Sequence, residues 1–241
     1  MTLKKIVGIH QPNFLPWLGY FHKMVRSDEF VLLDNVQFSK NSIGNRSYIK
    51  RKDGYAAYLT VPVRLSKQSF KNYNETEIDF GPRWPEKGLN IVKDAYQKAP
   101  FFKTIYPFVA DIFQKQHIHI AALNMELIQF VRDYLDIHTP MILSSTLNLG
   151  DVNKSDLVLE INKQRHATTY LSGGGARAYN DENSFNANNI NIIYTKFSID
   201  DIYKAPDENK VFENLNVLHF MFNYEKPLIK ELIYCPTTTA N

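Results

Sequence analysis

The sequence predicts an α/β fold: a mixed, mainly parallel central sheet with helices on both faces and a helical insertion at about 84–138. Three observations lead there. Short apolar runs alternate with segments of helical spacing at both ends of the chain, three amphipathic helices follow one another in the middle, and polar residues stand where the first apolar runs stop. The 241 residues suffice for one large core and read as a single domain spanning 1–241.

Residues 6–9 are apolar and largely β-branched, and Gln11-Pro12 stops the run, so they form a buried strand with His10 at its carboxyl end. Pro16 suits the first turn of a helix, and Trp17, Phe21, Met24 and Val25 follow at helical spacing. Residues 30–33 read as a second buried strand ending at Asp34. From 36 to 52 the chain is polar without periodicity and reads as a long loop. Residues 58–63 and 77–80 read as strands, the second an edge, with a polar connection at 66–74 between them. Segments 86–97, 105–116 and 119–135 carry apolar residues three and four apart, most clearly Leu123, Leu127, Phe130, Val131 and Tyr134. Alternation then resumes with a strand at 141–143, a helix at 155–165 capped by Ser155, a strand at 168–171 and another at 190–194. Residues 217–222 are a short apolar segment packed on the body. No repeat, heptad or low-complexity segment interrupts this order.

Composition narrows the function. A net charge of +3 is far from the dense basic clustering that counterion release from a polyanion needs, so no nucleic-acid partner is expected. The single cysteine, Cys235, excludes an internal disulfide and a thiolate metal cluster, which points to a cytoplasmic protein. The apolar run after Lys4 and Lys5 is too short for a signal-peptide core, and no run approaches the roughly 18 residues of a membrane span. HExxH, GxSxG and EF-hand patterns are absent, so zinc proteolysis, a standard serine-hydrolase site and calcium binding lack support, and no metal site is expected.

Three constellations could carry chemistry. The first is His10-Gln11-Pro12-Asn13-Phe14-Leu15-Pro16-Trp17 with Lys23 downstream. Two prolines stiffen a loop bearing His10, Gln11 and Asn13 at a strand exit, where ligands bind in open α/β sheets, and His10 there would serve as general base. The plain alternative is a histidine that caps the strand and a Trp17 that belongs to the core. The second is Asp34 to Lys40 followed by Asn45-Arg46; Asp34, Gln37, Lys40, Asn45 and Arg46 would grip a sugar, phosphate or carboxylate if the loop folds over the strand ends. Otherwise it is a solvated loop. The third is Ser172-Gly173-Gly174-Gly175, whose backbone would approach an anion closely or form an oxyanion hole, or else simply turn the chain. It matches neither the P-loop nor GxGxxG.

The runs IHQPNFLPWLGYFHKM, DEFVLLDNVQFSKNS with its following NR, LTVPV, the pair Ser144-Ser145 and YLSGGGARAY resemble the WbqC-like family of bacterial proteins, from Ile9 to about Asn223. The tail Phe222-Asn223-Tyr224-Glu225 departs from the pattern, lacking a glycine after the FN pair. The resemblance implies a role in surface-polysaccharide and O-antigen assembly: transfer of an acyl or aminoacyl group, glycine among them, to an amino sugar or nucleotide-linked amino sugar. His10 and Asp34 would be catalytic, Lys40 and Arg46 would hold a diphosphate, and Gly173 and Gly174 would offer backbone donors. The donor would be an acyl-coenzyme A, an acyl carrier protein or an ATP-activated acid.

A strand, a His-bearing loop, a helix and a further strand are also similar to the nucleotidylyltransferase-like ligases, which adenylate a carboxylate and pass it to an amine. Those enzymes carry an HxGH motif, whereas Pro12 and Asn13 follow His10-Gln11 here. A third reading is a non-catalytic sugar-binding accessory protein.

Overall fold

The computed structural model describes residues 4–65, 71–81, 83–198 and 214–235. Its strands in chain order are β1 (Ile6–His10), β2 (Glu29–Leu32), β3 (Arg46–Lys50), β4 (Ala56–Thr60), β5 (Val63–Arg64), β6 (Glu77–Ile78), β7 (Met141–Leu143), β8 (Thr169–Gly173) and β9 (Asn191–Thr195). The helices are α1 (Leu18–Val25), α2 (Glu86–Tyr96), α3 (Phe102–Gln114), α4 (Ile120–Tyr134), α5 (Lys154–Gln164), α6 (Glu182–Ala187), α7 (Val217–Asn223) and α8 (Lys226–Tyr234).

Five strands make a wholly parallel sheet in the order β7-β2-β1-β8-β9. The chain therefore starts at the middle, steps outward through β2 and β7, then returns to the other flank of β1 as β8 and β9. The order reverses between β1 and β8, the crevice in which doubly wound sheets bind their ligands.

Both faces of this sheet are covered, as apolar runs without alternation require. Val7, Ile9, Val31 and Tyr170 pack with Leu157, Ile161 and Phe185 of α5 and α6 on one face. Phe30 and Leu32 pack with Tyr20, Phe21 and Met24 of α1, and with α2, α3, α4, α7 and α8, on the other. Gly8 is what lets α1 and β2 close on that second face: a Cβ there would stand 2.3 Å from Ser27 Oγ and 2.8 Å from the Phe30 ring.

The polar stretch 36–52 contains a strand after all. β3 pairs antiparallel with β4, and its inward positions are Ser47 and Ile49. Ser47 satisfies its polarity inside by accepting from Asn216 Nδ2, so an inward position carries a hydroxyl and the hydrophobic alternation is masked. The expected strand 58–63 divides at Val61-Pro62 into β4 and β5, and among the described residues β5 pairs with β6 alone. Part of the expected connection at 66–74, residues 66–70, lies outside the described residues.

Three helix details also differ from expectation. Trp17 is the N-cap of α1, so Pro16 precedes the helix, and its carbonyl instead accepts from the Val217 N–H at the start of α7. Asn153, not Ser155, is the N-cap of α5; Ser155 Oγ accepts from the Asp181 N–H ahead of α6. Neither α6 nor α8 was expected, while α2 to α4 fall where helical spacing placed them. Among the described residues no helix is long and apolar enough to cross a membrane.

Candidate active site at the carboxyl edge of the sheet

Val7 lies opposite Tyr170 and Gly8 opposite Leu171, so the ends of β1 and β8 open side by side. A cavity of about 170 Å³ sits there, lined by His10, Trp17, Tyr20, Lys23, Gly173 and Gly174. The first and third sequence constellations thus meet in space although more than a hundred and sixty residues separate them. Larger cavities of about 350 and 470 Å³ lie beside β9 and between β4 and α2. Their charged walls already have partners: Glu182 accepts from the Tyr194 hydroxyl in one, and Lys52 pairs with Asp94 in the other.

The small cavity gathers ionisable groups without acidic partners. His10 Nδ1 lies 3.2 Å from the Gln11 carbonyl, which only accepts, so the proton sits on Nδ1 and the neutral ring keeps its lone pair on Nε2. His10 lines the cavity, and burial followed by the nearby Lys23 charge lowers its pKa to about 3. Lys23 is 3% exposed, donates from Nζ to the Ile9 carbonyl at 2.6 Å, and lies 6.0 Å from the centre of the Tyr170 ring. Burial alone pulls its pKa down to about 7. No carboxylate forms an ion pair with it among the described residues, so near neutral pH it is a partly protonated amine facing a cavity.

Neighbours hold this arrangement in place. The buried Tyr20 hydroxyl donates to the Gln11 carbonyl at 3.2 Å, and the Tyr73 hydroxyl donates to Gln11 Oε1 at 3.3 Å. Gln11 is therefore engaged at both its amide groups. Gly19 leaves room for the Trp17 indole, since a Cβ there would fall 2.3 Å from it. Trp17 in turn meets Phe197 edge-on at 5.5 Å.

The remaining expected residues divide sharply. Asp34 is 2% exposed, and its carboxylate accepts from Ser144 Oγ at 3.1 Å, Ser145 N–H at 2.9 Å and Ser145 Oγ at 2.6 Å. It fastens the turn after β7 to the end of β2 and does not line the cavity, a correction to its expected catalytic place. Gln37 and Lys40 are exposed and line none of the cavities described, with Gln37 bridged to Asn72. Asn45 is buried and donates to the Val61 carbonyl. Ser172 is fully buried and accepts from Asn180 Nδ2, and Gly175 falls just outside the cavity wall. The second constellation therefore does not gather here; its Arg46 lines a separate cavity with Asn13 and Trp17. Thr195, at the end of β9, and Phe197, just beyond it, complete the wall of the first cavity. The sequence offered no signal for them beyond a strand exit at 194.

Fold and site together define an α/β protein with a cavity at the switch point of a doubly wound parallel sheet, the place where such sheets bind ligands. The chain belongs to the WbqC-like protein family, whose family model matches residues 11–231. It is similar to the "Uncharacterized protein Rv1507c" of Mycobacterium tuberculosis, 32% identical over 233 residues that cover 96% of this chain and 99% of that one. No solved structure matches the chain.

Proposed function

We propose that the chain is an amide-forming acyl or aminoacyl transferase, glycine among its donors, acting on an amino sugar or nucleotide-linked amino sugar of surface-polysaccharide (O-antigen) assembly. The observation that carries this reading is the convergence of His10, Lys23 and the Gly173-Gly174 backbone on one pocket. In this reaction the acceptor amine attacks the acyl carbon, the C–N bond forms, and the former carbonyl oxygen takes the negative charge toward backbone N–H groups of the glycine turn. The amine proton passes to His10 Nε2 and then to the leaving group, a thiolate where the donor is a thioester. A pKa near 3 makes free His10 a weak base. Burial is the larger cause of that depression and the Lys23 charge the smaller, so an anionic substrate paired with Lys23 offsets the smaller part and raises the basicity of His10 by that share.

One observation favours a second reading, an ATP-dependent ligase of the nucleotidylyltransferase-like kind: the pocket occupies the switch point between β1 and β8, where doubly wound sheets seat nucleotides. Mass spectrometry on reactions offering glucosamine or a UDP-linked amino sugar with ATP, glycine, coenzyme A thioesters and an acyl carrier protein decides between them. An acylated sugar formed from a thioester without ATP supports transfer, whereas product that needs ATP supports the ligase. Binding of the amino sugar with no acylated product under any condition overturns both and leaves an accessory sugar-binding protein.

A further inference from the structure

Beyond Trp17 lies a second cavity, of about 330 Å³, lined by Asn13, Trp17, Arg46, Tyr48 and Tyr58 together with the loop around Ser42. Trp17 also lines the first cavity, so the two cavities share a wall residue. The wall is layered: the Arg46 guanidinium lies 4.1 Å from the centre of the Tyr58 ring, and the Tyr58 and Tyr48 rings are 4.4 Å apart at 30°. Tyr58 is 42% exposed, leaving ring surface for a ligand.

Two polar groups in this wall have no hydrogen-bond or ion-pair partner among the described residues. Arg51, Arg64, Arg83, Arg132 and Arg165 each pair with a carboxylate, whereas Arg46 has no such pair among the described residues. Its fork is held by an aromatic face and its donors remain available to an oxyanion. Asn13 is 2% exposed, and its Oδ1 has no hydrogen-bond partner among the described residues. An unused buried acceptor beside a cavity suits a ligand that brings an N–H or O–H donor.

The geometry points to an acceptor subsite: we propose that this second cavity takes a ring carrying a phosphate, the ring against Tyr58 and Trp17 and the phosphate on Arg46. The inference rests on the transferase reading of the first cavity, to which it adds the place of the acceptor. A nucleoside diphosphate and a sugar 1-phosphate share this chemistry. An acceptor anchored here projects its far end past Trp17 toward His10 and Lys23, which explains why one tryptophan belongs to both cavities.

Calorimetric titration of the full chain with UDP and, separately, with glucosamine 1-phosphate tests the assignment without any acyl donor. At least one binds, and Arg46→Met and Tyr58→Ala each weaken it by about tenfold or more, with thermal melting confirming that both variants are folded. UDP binding alone assigns the nucleotide, and glucosamine 1-phosphate binding alone assigns the sugar. Binding of neither probe, or affinity unchanged in both variants, overturns the subsite. Failure here is distinct from failure of the transferase reading. Probe binding that needs Arg46, with no acylated product, keeps the subsite and removes the transferase. Acyl transfer whose acceptor KM ignores Arg46→Met does the reverse.

Discussion

His10 and Tyr20 converge on one acceptor: His10 Nδ1 and the Tyr20 hydroxyl each lie 3.2 Å from the Gln11 carbonyl, with their rings 4.9 Å apart. The carbonyl fixes the imidazole tautomer while Tyr20 fixes the ring's lateral position. His10→Ala is expected to cut turnover by about two to four orders of magnitude with the fold intact. Tyr20→Phe leaves the carbonyl one donor, so it should cost about 1 kcal/mol of stability and far less activity. Steady-state kinetics with thermal melts check both. Near-normal turnover in His10→Ala removes the proton-transfer role.

Lys23 predicts an unusual pH dependence of stability. Its pKa in the folded chain is about 7, against an ordinary value of 10.5, so the unfolded chain binds more protons between these limits and stability rises with pH there. From pH 7 to 9 the gain attributable to this group is about 2 kcal/mol. Above that window the buried tyrosines Tyr73 and Tyr170, both raised to about 12, act in the opposite sense. Urea unfolding at pH 7 and pH 9 reads the slope, which Lys23→Met should flatten. An equal slope in the variant would show that the amine is not responsible.

Asp34 is expected to matter for stability and not for turnover. Its carboxylate accepts three hydrogen bonds from Ser144 and Ser145, so Asp34→Ala leaves those donors without an acceptor and should cost about 2–4 kcal/mol. Denaturant melts give the loss, and activity per folded molecule should stay near that of the parent. Selective loss of turnover with unchanged stability would return Asp34 to the chemistry.

Two glycines should respond in opposite ways to alanine. Gly8→Ala drives a methyl against Ser27 and Phe30 in the central strand and should cost about 1–3 kcal/mol or more. Gly173 has no atom within 4 Å of a would-be Cβ and lines the cavity, so Gly173→Ala should melt normally while narrowing the pocket and raising KM. Thermal melts and Michaelis constants on the two variants check the contrast.

The sheet was legible because its strands are buried on both faces and so appear as unbroken apolar runs, as at residues 6–9 and 30–33. β3 was not, because one of its two inward residues is Ser47, whose hydroxyl finds Asn216 from a segment far along the chain. The meeting of His10 with Gly173 followed from their shared position after parallel strands. The strand order that makes those strands neighbours had no local sequence signal. Asp34 misled for a related reason: a carboxylate at a strand exit looks the same whether it faces a ligand or a serine turn more than a hundred residues away. Trp17 was expected in the first constellation and lines both cavities, whereas Tyr58 read only as part of a strand, since strand spacing does not separate an aromatic that packs from one that lines a cavity.

The strand at the middle of the sheet is the first one to leave the ribosome. β1 spans Ile6–His10, yet its partner on one side is Thr169–Gly173, so during synthesis an apolar edge waits for most of the chain to be made. Closing so long a loop is slow, and an unpaired apolar edge invites other chains to pair with it. Truncations that stop short of residue 169 should therefore accumulate as insoluble material, and nascent chains of this protein should depend on chaperones until β8 emerges.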